Sequence, residues 1–431
     1  MKKLIHKTLN LEKIVGGGQT LGQLQDGKKA FVWGGLPGEK VEIQITKKKS
    51  NFVEGVVTNV IEPSSARIAP ADPDSYLSTS PWQIMAFSTE QHYKAALIEE
   101  AFELHGIVLP DAIDVYSDGE QFGYRNKIEF SFWWDNDREE LDLAFFRRGT
   151  HGKIPVGSTS LAHSAINQAA QAIRDILRQR RTQAFDLKTV IIRNNQAGEV
   201  AMQLYIKTEE FDALTSAELA MLAVQGFELI FSNPKSPASV ITRRLQTWGN
   251  PALTDTILDV PFSYATEGFF QINLPVYEQA LRDMKEWIQP NRPVVDLYSG
   301  VGTIGLTIGG DNITMVEINE AAVAEMRRNI AALGRESSAK AILAPSESAL
   351  EYITGDAAII VDPPRAGLHE AVVKKLLETA PARIVYLSCN PVTQARDVAL
   401  LAERYGIRHH RGYNFFPRTP HIEHLVVLDL K

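Results

Sequence analysis

The stretch that decides the fold is VVDLYSGVGTIGL, residues 294–306. VVDL reads as a short buried strand that runs directly into a turn. Gly300 and Gly302 allow that turn to be tight and let a ligand approach the backbone. Asp296 stands at the strand's end, and the next apolar run, TMVEIN, ends in Glu317, 21 residues further on. An acidic residue at that place can accept hydrogen bonds from ribose hydroxyls. Downstream, AAIIVDPP, RIVYLSC and HLVVLDL are further apolar runs separated by helical segments. Upstream, PVYEQALRDMKEWI is an amphipathic helix with Pro275 in its first turn. Buried strands alternating with helices predict a parallel, doubly wound α/β sheet. Ligands bind such sheets at the carboxyl ends of the strands, where Asp296, Glu317, Asp362 and Cys389 all fall.

A G-x-G turn serves a dinucleotide as readily as other cofactors. Here the third Gly of the dinucleotide fingerprint is missing, and no second mononucleotide half precedes the motif. S-adenosylmethionine has no pyrophosphate to cradle, so it suits this turn better than NAD.

The chain has 431 residues, too many for one ordinary core. Residues 1–62 alternate short apolar runs with Gly-rich turns, as in VGGGQT and KAFVWGGLPGEKVEIQI, which predicts a small antiparallel barrel. Residues 63–262 hold a Pro- and Ser-rich linker, a helix near Gln91–His105, and then strands interrupted by a helix from about Ser164 to Arg181. Residues 263–431 form the α/β unit. The net charge is −7, but residues 1–50 carry ten Lys against four acidic residues, and Arg404–Arg418 holds four Arg and two His with no carboxylate. Basic faces on an acidic chain suit contact with phosphates at chosen places. No apolar stretch can span a bilayer and no secretory signal opens the sequence, so a cytoplasmic protein is expected. Cys389 is the only cysteine, which excludes an internal disulfide and any multi-thiolate metal site.

Together FFQIN (269–273), DLYSGVGTIGL (296–306), VDPPRAGL (361–368), YLSCNP (386–391) and FFPRTPHIEHLVVL (415–428) resemble, in order and spacing, the signature blocks of the RNA uridine-5-methyltransferase family. GYRNKIEFSF (123–132) is similar to that family's central RNA-facing domain, and the first sixty residues resemble the TRAM domain, a small OB-like RNA-binding barrel. The resemblance implies a Rossmann-like class I methyltransferase domain at the C-terminus and a central α+β domain. It implies Cys389 as nucleophile and Glu423 as base. It implies S-adenosyl-L-methionine as cofactor, with Gln271, Tyr298, Glu317, Asp362, Thr303 and Ser346 lining the cofactor and target-base pocket. The implied partner is RNA, ribosomal rather than transfer RNA, with no membrane and no obligate protein partner.

The chemistry explains the pair. Carbon 5 of uracil takes a methyl group only after a thiolate has added to carbon 6, and the adduct leaves only after a separate base removes the carbon-5 proton. The target carbon is hidden in a stacked helix, so the uridine must be extruded or already unpaired. Phe269, Phe270, Phe415 and Phe416 are candidates to stack on it, at least two of them being expected in the core. Arg125, Lys127, Lys47, Lys48, Lys49 and Arg418 are candidate phosphate contacts.

One departure stands out. Many members of the family bind a 4Fe–4S cluster through four cysteines, two of them in a C-G-G-C-P-x-Q block. Here that block reads Leu77-Ser78-Thr79-Ser80-Pro81-Trp82-Gln83, so no iron–sulfur cluster is expected, and other contacts must hold the loop. Three other readings remain open. DPPR resembles the loop of amino-methyltransferases acting on purines, although Arg365 stands where that loop has an aromatic. RNA cytosine-5-methyltransferases also use a thiolate, in different blocks. An inactive fold serving as an RNA-binding protein would need neither Cys389 nor Glu423.

Overall fold

The computed structural model describes residues 5–150, 152–236 and 239–431, so Lys2 and Lys3 of the basic amino-terminal stretch lie outside the described residues. Strands His6–Ile14, Thr20–Gln23, Lys29–Trp33, Lys40–Lys48 and Phe52–Glu62 close into a barrel. Period-2 patterning drives the closure. Val41 and Ile43 point inward along one strand and meet Leu9, Leu11, Val32 and Val53 in a small apolar core.

The segment from 63 to 86 crosses the molecule as an extended linker with one helical turn, Tyr76–Thr79. It contains the stretch that lacks the family's cysteines, and hydrogen bonds hold it. The Gln83 amide donates to Ser80 Oγ (2.7 Å) and Asp72 Oδ2 (3.1 Å), while Ser160 Oγ donates to Asp72 Oδ2 (2.7 Å). Among the described residues no cluster of side chains could hold a metal ion.

The central unit is a seven-stranded sheet in the order Arg243–Gly249, Gly226–Phe231, Val200–Ile206, Leu187–Asn194, Lys127–Asp135, Glu140–Phe146, Lys153–Val156. Helix Ser164–Gln179 covers one face, packing Ile166, Ile173 and Leu177 against Ile128, Phe130 and Leu143. Along this helix Arg174 pairs with Asp175 and Arg178 with Asp142, whereas Arg181 lies beyond its end with a positive φ.

The carboxy-terminal unit is an eight-stranded sheet in the order Ala339–Leu343, Ile313–Glu317, Val294–Leu297, Ala358–Val361, Arg383–Ser388, Glu423–Leu430, Tyr405–Tyr413, Val115–Tyr116. The first five strands pair in parallel; Glu423–Leu430 runs antiparallel to both its neighbours. Two segments expected with the central unit belong here instead. Helix Phe87–Glu103 buries Ile98, Ala101 and Phe102 among Tyr386, Val398 and Leu428, and Val115–Tyr116 pairs with Gly412–Tyr413. Each large side chain so buried contributes about 1.5–3 kcal/mol, enough to fix the linker helix to this sheet. The hairpin Leu253–Tyr264 also packs its inner face on this unit's core.

Candidate functional site

The site forms at the carboxyl ends of the parallel strands. After Leu297 the backbone turns sharply, with Tyr298 (φ 65°), Gly300 (φ 55°) and Gly302 (φ 88°) all left-handed. A Cβ on Gly302 would stand 2.9 Å from Met326 Cγ, whereas one on Gly300 would meet nothing within 4 Å. Gly302 is therefore needed for packing, and Gly300 leaves open backbone facing the site. Glu317 braces the turn by accepting N–H groups from Gly300 (2.9 Å) and Asn319 (2.7 Å).

Asp296 is fully buried within its strand rather than at the rim. Its Oδ2 accepts the Gly305 N–H at 3.1 Å, and its Oδ1 has no partner. Burial, with Asp362 nearby, pushes its carboxyl up to about 8. The Tyr298 hydroxyl is also buried without a hydrogen-bond partner. Thr303 bonds to the Tyr277 hydroxyl (2.8 Å), Ser346 is buried, and Gln271 is half-buried with its carbonyl held by Asn126 Nδ2 (2.9 Å). Unpartnered polar atoms around an open glycine fit a ligand that carries hydroxyl and ammonium groups, as S-adenosylmethionine does.

Cys389 and Glu423 lie at the same end of one strand pair. Arg383–Ser388 and Glu423–Leu430 are antiparallel with Ser388 opposite His424, and Cys389 follows Ser388 in a bend while Glu423 precedes His424. The Glu423 carboxylate is near enough to raise the proton affinity of the thiol. The thiol is half-buried and Glu423 is 5% exposed. Burial pushes the Cys389 thiol up to about 12, and the Glu423 and Asp362 carboxylates add to that rise. Burial and Asp362 likewise hold Glu423 well above the carboxylate range, and burial brings Asp362 to about 7. Arg365 opposes these shifts at Cys389 and Glu423. Its guanidinium lies 3.2 Å from His421 Nδ1, and its carbonyl accepts from Asn390 Nδ2 (2.8 Å). Burial pulls His421 down to about 4, so that ring is neutral.

The remaining candidates divide sharply. Phe270 and Phe415 are core, whereas Phe269 is 73% exposed and Phe416 half-buried, with Arg125 5.9 Å above its ring. Lys47, Lys48 and Lys49 are exposed on the barrel, although Lys47 pairs with Glu54 (2.6 Å). Lys127 and Arg418 are not free cations. Lys127 Nζ donates to the Glu267 carbonyl (2.8 Å), and Arg418 is 3% exposed and donates to Met85 O (2.7 Å). Both are used inside the protein, which removes them as phosphate contacts. Sequence reasoning missed Arg365 as a participant, since it registered only as the residue replacing an aromatic.

Residues 350–431 match the family model described as tRNA (Uracil-5-)-methyltransferase, and residues 12–58 match the TRAM domain. A protein of Enterococcus faecalis named as an uncharacterized RNA methyltransferase is 30% identical, with 92% of each chain covered. A similarly named protein of Lactobacillus johnsonii is 29% identical, with 94% of each covered. Among solved structures, the Pyrococcus abyssi tRNA (uracil-54, C5)-methyltransferase in complex with S-adenosyl-L-homocysteine shares the fold at a TM-score of 0.78. That match has 21% identity and covers 97% of this chain and 100% of that one.

Proposed function

This chain belongs to the tRNA (uracil-5-)-methyltransferase family, and we propose that it methylates carbon 5 of a uridine through a covalent Cys389 adduct, with Glu423 as the base. It is an S-adenosylmethionine-dependent RNA methyltransferase. The observation that supports the finer reading is a half-buried thiol at the end of the strand pair that also carries a buried carboxyl, Glu423, close enough to raise the thiol's proton affinity. A structural cysteine and glutamate would not need to gather at the end of one strand pair, on a sheet rim that also carries Glu317 and Asp362.

The residues divide the work as follows. The Cys389 thiol gives its proton to the Asp362 carboxylate, Sγ bonds to carbon 6, and the C5=C6 electron pair moves toward O4, leaving carbon 5 electron-rich to form the bond to the incoming methyl group. S-adenosylmethionine supplies the electrophilic methyl group. Glu423 then takes the carbon-5 proton, the C–H pair re-forms C5=C6, and the C6–S bond breaks with its electrons returning to sulfur. In the resting site burial pushes the Cys389 thiol up to about 12 and raises the proton affinity of Glu423. Asp362, at about 7, is the group able to exchange a proton there, and Arg365 is the cation that favours the ionised thiol and carboxylate. Phe416 and Phe269 offer faces on which an extruded base can stack. Gln271, Tyr298, Glu317, Thr303 and Ser346 are assigned to the cofactor. Ribosomal RNA is the proposed target class, with transfer RNA, named by the matching family model, as the alternative.

The test is trapping with RNA containing 5-fluorouridine, whose carbon-5 fluorine cannot leave as a proton does. A covalent protein–RNA adduct that requires Cys389 supports the proposal. Full methyl transfer by Cys389→Ala would instead point to an amino-methyltransferase working through the DPPR loop. Mapping methyluridine in ribosomal and transfer RNA from cells lacking the protein identifies the target.

A further inference from the structure

The barrel's Gly-rich turn, Val15–Gln19, has no part in the roles assigned so far. It is closed by its own bonds, Gly18 N–H to Val15 O (2.8 Å) and Val15 N–H to Gln19 O (2.9 Å). Gly17 is exposed with φ 90°, and a Cβ there would meet nothing within 4 Å. Gly18, with φ 89°, is buried, and a Cβ on it would lie 2.5 Å from Pro420 Cγ. A Cβ on Gly16 would reach Val392 Cγ2 at 4.0 Å. Pro420 stands three residues before Glu423, and Val392 three residues after Cys389. One barrel turn thus packs on the segment that leads into Glu423 and lies beside the helix that follows Cys389.

Trp82 locks this contact. Its buried indole N–H donates to Gly18 O (3.1 Å), and its backbone N–H donates to Arg418 O (3.1 Å). The loop from Asn414 to Pro420 is gripped elsewhere as well. Lys94 Nζ donates to Phe416 O (3.1 Å), Glu90 accepts the Arg418 N–H (3.0 Å), and the Tyr124 hydroxyl donates to Pro417 O (2.9 Å). The side facing the barrel is closed by Gly18. A barrel that served only to hold RNA would need no contact with either segment.

We propose that the Val15–Gln19 turn of the barrel is a positioning element of the reaction centre, with Gly18 and Trp82 setting where Glu423 stands against Cys389. This inference rests on the covalent mechanism above. A displacement on the order of 1 Å at reacting groups costs about a hundredfold in rate, and Gly18→Ala forces the Pro420 segment or the turn to move by about that much to restore contact distance. Gly17→Ala carries the same left-handed backbone penalty without the collision and serves as the control.

The experiment compares full-length wild type, Gly18→Ala, Gly17→Ala and Trp82→Phe on one methyl-accepting RNA. Gly18→Ala should lower kcat at least tenfold, leave the RNA dissociation constant within about twofold, and accumulate the methylated covalent adduct on natural RNA. Its 5-fluorouridine trapping rate should stay near wild type, because trapping does not use the base. Trp82→Phe, which keeps the ring and removes the bond to Gly18, should show the same pattern more weakly, and it carries the test if Gly18→Ala does not fold. Equal kcat for Gly18→Ala and Gly17→Ala, or loss of RNA affinity without adduct accumulation, would overturn the proposal. Absence of any Cys389-dependent adduct in the wild type would overturn the underlying mechanism instead.

Discussion

Asp296→Asn gives the sharpest test of how the site is charged. The native carboxyl is fully buried, has one unpartnered oxygen, and stands at about 8 against an ordinary 3.8. The folded state therefore binds more protons than the unfolded state between those two values, so stability must fall as pH rises through that window. At 1.36 kcal/mol per pH unit, this one group removes at most about 4 kcal/mol between pH 5 and pH 8. Burial is the larger cause of the rise and Asp362 adds to it, so substitution at Asp296 recovers part of that loss. Asn keeps the shape and an oxygen for the Gly305 N–H but cannot ionise. Without cofactor, Asp296→Asn should match wild type near pH 5 and exceed it at pH 8. Amide hydrogen exchange in Val294–Leu297 and Ala358–Val361 reads the local opening free energy of this unit without assuming that the whole chain unfolds at once. The same variant should bind S-adenosylmethionine at least tenfold more weakly. Parallel pH profiles for the two proteins would refute the reasoning, because Asp296 would then not be a protonated, desolvated carboxyl.

Three further outcomes are expected. Glu423→Gln should form the adduct with natural RNA but release it slowly, seen as a protein–RNA band stable to denaturing electrophoresis; normal turnover would exclude Glu423 as the base. Arg365→Leu removes the cation that draws Cys389 and Glu423 toward ionisation, so the rate of 5-fluorouridine trapping should fall about tenfold at pH 7 and recover as pH rises. An unchanged pH profile would assign Arg365 to binding alone. Asp72→Ala strips partners from the Gln83 amide, the Ser160 hydroxyl and the Ser160 N–H (3.0 Å), and should cost about 2–4 kcal/mol of stability in denaturant unfolding. No measurable change would mean that the linker is not held by this network.

The strand-turn at 294–306 and the helix opened by Pro275, observed as Leu274–Lys285, were readable because both signals are local. The allegiance of helix Phe87–Glu103 was not. Its pattern says that one face is buried but not against which sheet, and its partners lie hundreds of positions away. Arg418 and Lys127 show the same limit. A cation in a basic segment suggests phosphate, yet Glu90, which fixes the Arg418 backbone, is 328 residues distant. Adjacent phenylalanines divided within irregular loops, where no periodic pattern tells one side from the other: Phe269 is exposed and Phe416 half-buried, while Phe270 and Phe415 pack inward. Cys389 and Glu423 could be named from motif type, but only the pairing of their two strands brings them to one end of the sheet.

The reaction centre is an unfavourable arrangement by the ordinary rules of folding. Asp362, Glu423 and Cys389 gather at a poorly hydrated rim with Asp296 buried beneath it, where Asp362 raises the proton affinity of the other three and Glu423 raises that of Cys389. A fold selected only for stability would replace them with apolar side chains or supply more cations than the single Arg365. The pattern makes sense if positive charge arrives with the ligands: a sulfonium carries it, and so does any cation accompanying RNA. On that account the protein alone is the protonated, inert form of the site. Occupancy lowers the proton affinities of the thiol and the carboxyls together, which restricts a reactive thiolate to the moment when a base is present to receive it. Saturating cofactor should therefore release protons into weakly buffered solution at pH 7, with fewer released by Asp296→Asn. Binding without proton release would leave the crowding of these four groups unexplained.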